Sequence, residues 1–190
     1  MKSDYLVWLD LEMTGLDTSK DVIIEIGSAI TDWNLNLIAE GPQIVIGQPE
    51  ALLTGMDEWN QKTHSASGLL EEIRSSTVSV TVAEKETLNF VSKYVKKGES
   101  PLCGNSIHTD RTYLSKEMPD LEEYLHYRII DVSSLKGIVQ RWYPKEYWFV
   151  EKEKKHRVMD DVRESISELR WYKEKIFPKI SIEEQKNPKE

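Results

Sequence analysis

Apolar positions along the chain first follow an extended period and only later a helical one. The run Tyr5-Leu6-Val7-Trp8-Leu9 is almost wholly apolar, with aromatic and β-branched members, and predicts a buried central strand. Val22–Thr31 (VIIEIGSAIT) is β-branched and partly alternating, and predicts a second strand. Asp32-Trp33-Asn34 reads as a turn. Leu35–Ala39 and Gln43–Ile46 then predict a third strand, kinked or bulged at Gly41-Pro42. Three such strands in succession make an antiparallel meander.

Downstream the spacing lengthens. Asp57 is the expected N-cap of a short helix through Asn60 and His64 that ends near Gly68, and Leu69–Ser75 is a further helical turn. Thr81 and Glu84 match the S/T-x-x-E capping box, and Thr87, Leu88, Val91, Tyr94 and Val95 mark an amphipathic face before Lys96-Lys97-Gly98. Pro101–Asn105 reads as a short buried strand running into a glycine turn, and Asp110 as the start of a helical segment. Tyr127–Val132 reads as a strand, and Ser133 or Ser134 opens a helix through Trp142. Pro144–Lys155 is an expected loop. Asp160 is the expected N-cap of the last helix, with Val162, Ile166, Leu169 and Ile176 on one face. Strands first as a meander, then alternating with helices, predict an α/β fold: one mixed central sheet, partly antiparallel and partly parallel, flanked by helices. No linker interrupts it, so a single domain is expected over residues 1–178, with a polar tail over 179–190.

Asp10 and Glu12 interrupt the end of the first strand. Side chains two apart in an extended chain point the same way, so two carboxylates project together from a segment that otherwise wants burial. Like charges repel there, and desolvation adds to the cost. Either the pair lies in a solvated turn or a hard divalent cation relieves it. Glu25, acidic within an apolar strand, is expected to face solvent or pair with a cation. Two further acids stand at element ends: Asp110 after the glycine turn, and Asp161 opening the last helix five residues after His156. Four carboxylates suffice for two Mg²⁺ or Mn²⁺ about 4 Å apart, the arrangement that serves in-line displacement at phosphorus. A histidine, ordinarily titrating near neutrality, suits removal of the attacking water's proton.

The net charge of −8 disfavours broad binding to long nucleic acid, which relies on a basic surface, but leaves room for short phosphate substrates at a metal-bearing site. The single cysteine, Cys103, excludes an internal disulfide and suggests a reducing compartment. The acidic N-terminal residues leave no signal-peptide apolar region, and no apolar run approaches a membrane span. A cytoplasmic location with no membrane association is therefore expected.

The order D-x-E, D, then H-x-x-x-x-D resembles the DEDD exonucleases of the histidine subclass, and the longer stretches resemble the oligoribonuclease family. Those stretches are WLDLEMTGLD, IIEI, LNLIAEGP, MDEWNQKTHSASGL, CGNSI, YRIIDVSSLK and HRVMDDVRESISEL, and the resemblance spans about Leu6 to Tyr172. It implies a ribonuclease-H-like fold and a homodimeric 3′→5′ exoribonuclease using two divalent metal ions (Mg²⁺ or Mn²⁺). Short single-stranded RNA oligonucleotides, down to dinucleotides, would be cut to nucleoside 5′-monophosphates. Carried over residue by residue, Asp10, Glu12, Asp110 and Asp161 are metal ligands and His156 the general base. The family spacing favours Asp161 over Asp160. Val158 departs from the subclass alanine and adds bulk beside the histidine.

The same resemblance places Tyr127 in the partner's active site, although a strand tyrosine ordinarily packs its ring in a core. Leu16 would wedge between bases and Trp59 would stack on one, against the alternative that Trp59 is a core aromatic. His64, Ser106, Arg128 and Ser133 would ring a terminal phosphate, with arginine suited to bidentate contact. His108 and His126 are expected to be structural. Lys152, Lys154, Lys155 and Arg157 around His156 form either a solvated loop or a substrate-attracting patch. Two other functions fit the same residues less well: an exonuclease trimming longer 3′ ends, and a nucleotide- or metal-binding module without turnover.

Overall fold

The computed structural model describes residues 2–150 and 157–177. His156, Lys152, Lys154, Lys155 and the expected tail lie outside the described residues. The chain runs β1 (Tyr5–Met13), β2 (Ile23–Asp32), β3 (Leu37–Val45), α1 (Glu50–Thr54), α2 (Glu58–Ala66), α3 (Leu69–Ser75) and α4 (Val80–Val91). It continues with β4 (Pro101–Gly104), α5 (Ile107–Glu117), α6 (Pro119–Tyr124), β5 (His126–Asp131), α7 (Val132–Trp142), a 3-10 turn and α8 (Val158–Lys175). The sheet order is β3-β2-β1-β4-β5. The first three strands pair antiparallel as the expected meander, and β4 and β5 join parallel to β1. No helix among the described residues is long and apolar enough to cross a membrane.

β1 is buried on both faces, and its alternation sorts the core. Val7, Leu9 and Leu11 join the cluster shared with α4, α5 and α6. Leu6 and Trp8 join the opposite cluster, under α7 and α8, with Cys103 and Ala29. Asp10 and Glu12 continue this second series, so the pleat alone aims both carboxylates to the α8 side. α8 lies close on the sheet at Gly27, the register partner of Asp10. A β-carbon at Gly27 would come 2.7 Å from Val158 Cγ2 and 2.9 Å from Met159 Sδ. The glycine thus makes room for Val158 against the sheet.

Several element ends differ from expectation. α4 is capped by Ser79, whose hydroxyl accepts from Val82 N–H, and not by Thr81. Glu84 is buried, and its Oε1 instead accepts the N–H groups of Asp120 (2.8 Å) and Leu121 (3.2 Å) at the start of α6. A tertiary contact therefore claims the side chain that the local motif would use. α4 also stops at Val91, well before Lys96-Lys97-Gly98. α8 begins at Val158, which places Asp160 inside its first turn and not at the cap. Leu35 lies in the turn with φ 68° and precedes β3. The irregularity expected at Gly41-Pro42 is present as a register shift, where Gly27 and Ala29 face Gln43 and Glu40.

Candidate active site

Register places Glu12 opposite Glu25 across β1 and β2, and α8 brings Asp161 over them. Asp10, Glu12 and Asp161 each offer an oxygen, and the three oxygens lie within 4.8 Å of one another. Asp110 is not part of that triangle. It comes from α5, on the opposite sheet face, and its Oδ1 accepts the Leu11 N–H at 2.9 Å.

The cost of gathering these acids is visible in their protonation. Burial, followed by the charges of Asp110, Asp161, Glu12 and Glu25, raises Asp10 well above the usual carboxylate range. Burial, then Asp161, Glu25 and Asp110, pushes Glu12 up to about 8. Burial lifts Asp110 to about 7, against the lowering effect of the Leu11 N–H. Three clustered oxygen donors, of which Asp10 and Glu12 resist ionisation, fit a hard divalent cation, which would favour the charged forms. These residues are suited to hold it.

Glu25 is fully buried and pairs with a cation, the second of its two expected settings. Arg157 donates Nη2 to Glu25 Oε1 (2.8 Å) and Nη1 to Glu72 Oε1 (2.8 Å). Gln43 Nε2 donates to Glu25 Oε1 at 2.7 Å. Glu25 Oε2 also receives the Val158 N–H at 3.4 Å. The first turn of α8, which carries Asp161, is thereby tied to β2 by a side chain distant in sequence. That is why Asp160 is not needed as the cap.

A cleft of about 470 Å³ opens beside the carboxylates, lined by Asp10, Glu12, Trp59, Ser106, Ser133 and Asp161 among others. Trp59 is 62% exposed, so it is not a core aromatic. Leu16 is also exposed, at 76%. Ser106 and Ser133 meet, with their hydroxyl oxygens 3.1 Å apart. Two members of the expected phosphate ring, His64 and Arg128, are not among the residues that line this cleft. His64 is buried, with Nε2 3.2 Å from the Met13 carbonyl. Arg128 lies against Tyr127, its guanidinium carbon 5.5 Å from the ring centre, and neither residue lines the cleft. Tyr127 is 73% exposed on edge strand β5 and lines a separate hollow with His108, Arg111 and Ile129. Its ring therefore does not take the core setting that is ordinary for a strand tyrosine. His108 Nδ1 sits 3.2 Å from Asp131 Oδ2.

The cleft wall holds residues that local motifs did not single out: Lys136, Glu164, Ser165 and Glu168. With Asp161, the three α8 residues follow i, i+3, i+4, i+7 spacing, a polar stripe on one helix face. That spacing was readable in the chain.

An exonuclease family model, RNase_T, matches residues 7–169. An oligoribonuclease of Dichelobacter nodosus is 52% identical over 176 residues, covering 93% of this chain and 97% of that protein. One from Pseudomonas aeruginosa is 53% identical over 169 residues, covering 89% and 94%. The chain belongs to the oligoribonuclease family of exonucleases. Its fold is also that of exonuclease I with product bound (TM-score 0.67, 12% identity, 92% of this chain and 44% of that one). E. coli exonuclease I in complex with a dT13 oligonucleotide superposes with TM-score 0.64 at 14% identity, covering 90% and 41%. The ribonuclease-H-like mixed sheet expected for an oligoribonuclease is therefore present.

Proposed function

We propose that this oligoribonuclease-family chain is a 3′→5′ exoribonuclease that hydrolyses short RNA oligonucleotides, down to dinucleotides, to nucleoside 5′-monophosphates. The observation that carries the reading is the triangle of Asp10, Glu12 and Asp161, on a chain about half identical to oligoribonucleases along nearly its whole length. Asp10, Glu12 and Asp161, with Asp110 beside them, would hold two divalent ions, Mg²⁺ or Mn²⁺. Such ions supply an acidified attacking water and a counter-charge for the leaving oxygen. His156 takes the water's proton. Trp59 offers its exposed indole to a base, and Leu16 separates neighbouring bases.

Ser106 and Ser133 lie in the same cleft as the carboxylates. With the scissile phosphate at the carboxylates, the hydroxyl pair meets a phosphate farther toward the 5′ end. Arg128 and His64 complete that end only if the chain or a partner rearranges. A homodimer belongs to this reading. Its support is the exposed Tyr127 on an edge strand, with Ile138 and Trp142, exposed four residues apart, on the adjoining α7. A Tyr127 that avoids its own cleft is free to serve a partner's. A single compact domain and a cytoplasmic setting complete the proposal.

The test is incubation with 5′-labelled RNA oligomers of graded length, with Mn²⁺ or with EDTA. Metal-dependent stepwise shortening to mononucleotide, fastest on the shortest species, is expected. Shortening that stalls several nucleotides from the end, or no product with any metal, would overturn the reading.

A further inference from the structure

Behind the two serines a chain of hydrogen bonds runs into the core. Glu168 on α8 is fully buried and touches three donors. The Tyr172 hydroxyl reaches its Oε1 at 2.7 Å, and Lys136 Nζ (3.3 Å) and Asn105 Nδ2 (3.1 Å) reach its Oε2. Beside Lys136 and the tyrosine hydroxyl, this carboxylate faces Asn105 as an acceptor, so the amide must present its NH₂ group. The second amide hydrogen points to Ser165 Oγ at 3.0 Å. The amide orientation is thereby fixed, and Asn105 Oδ1 is left as an acceptor toward Ser133 Oγ at 3.0 Å. The Ser133 hydroxyl gives its proton to Asn105.

Ser133 then meets Ser106 with lone pairs alone. It accepts the Ser106 N–H at 2.9 Å, which Asp131 Oδ1 shares at 3.1 Å, and lies 3.1 Å from the Ser106 hydroxyl. The Ser106 backbone is held in the left-handed region, with φ 49°, which is uncommon for a residue other than glycine. Of the two serine hydroxyls, the exposed one of Ser106 keeps the proton that can turn to an arriving oxyanion.

We propose that Asn105, set by buried Glu168 and by Ser165, is a positioning residue. It orders the Ser133 and Ser106 hydroxyls and so fixes how strongly the enzyme favours a short RNA bearing a 5′-terminal phosphate. This inference rests on the proposed role of the serine pair at the phosphate nearer the 5′ end. Asn105 acts through the serines and touches no reacting atom.

The test compares kcat/KM for a diribonucleotide with a 5′-phosphate and for the same dinucleotide with a 5′-hydroxyl. The ratio is measured in the wild-type protein, Asn105→Ala and Ser165→Ala. A hydrogen bond to a charged oxygen corresponds to about ten- to a hundredfold, so the wild-type ratio is expected to be about tenfold or more. Asn105→Ala should bring it close to one, mainly by raising KM for the phosphorylated substrate. Ser165→Ala removes one of two amide acceptors and suits a helix, so it should fold, and the ratio should fall about two- to fivefold. A merely structural role would lower both rates together and leave the ratio intact.

A wild-type ratio of one would overturn the phosphate role of the serines, and this inference with it. A large wild-type ratio that both variants retain would overturn the inference alone. If Asn105→Ala fails to fold, the Ser165→Ala ratio decides.

Discussion

Removing the metal should reverse the pH dependence of stability. In the metal-free protein Glu12 rises from its ordinary 4.5 to about 8, chiefly through burial and then through its acidic neighbours. Asp10 and Asp110 shift in the same direction. A carboxyl with a raised folded pKa binds its proton more tightly folded than unfolded. Its penalty is absent below the unfolded value, grows above about 4.5 and is complete once pH passes the folded value near 8. At ~1.4 kcal/mol per pH unit, Glu12 alone sets a ceiling of ~5 kcal/mol, and partial solvent access lowers that to on the order of 2–4 kcal/mol. For a chain of this size that is a fall in Tm of ~5–15 °C.

The assay is thermal denaturation of EDTA-treated protein between about pH 5 and about pH 8.5, repeated with saturating Mn²⁺. The metal-free Tm should fall as pH rises. With metal the carboxylates remain ionised, their folded pKa values drop below the unfolded ones, and stability should instead fall as pH drops toward 5. A metal-free Tm that is flat or rises over this range, or equal slopes with and without Mn²⁺, would refute the argument. In either case the acids would not form a mutually strained cluster that a cation relieves.

Three further outcomes follow from the same geometry. Asp161→Asn, and separately Asp110→Asn, should retain a folded circular-dichroism spectrum yet lose activity on the order of 100-fold or more, with a raised metal-free Tm for Asp161→Asn because one repelling charge is gone. Arg157→Ala leaves the fully buried Glu25 without its cation, and urea denaturation should show a loss of ~3–5 kcal/mol. Trp59→Ala should leave Tm nearly unchanged, because the indole is exposed, while raising KM for short RNA by about five- to a hundredfold through lost stacking.

The elements were legible wherever one stretch of chain carries its own period. The meander, the short strand before Asn105 and the last helix lie close to where their apolar patterns put them. The element ends were less legible, since tertiary donors and acceptors decided them. Glu84 left the capping box to cap α6, and Glu25 took the N-terminus of α8 from Asp160. Neither choice leaves a trace within four residues of the helix concerned. The polar stripe Asp161, Glu164, Ser165 and Glu168 is different, for its i, i+3, i+4, i+7 spacing lies within one stretch of chain.

By itself the sequence determined the direction of the chemistry. A two-residue spacing at a strand end obliges Asp10 and Glu12 to share a face, and the motifs that resemble oligoribonucleases span the chain. Only the tertiary structure decided which acids form a triangle, because α8 and α5 approach β1 from opposite faces. It also decided that Ser106 and Ser133 are bound together while Arg128 rests on Tyr127. The physical reason is range. Periodicity fixes which way a side chain points from its own element, whereas distances between elements come from packing, where a glycine at position 27 or a buried glutamate at 168 sets the fit.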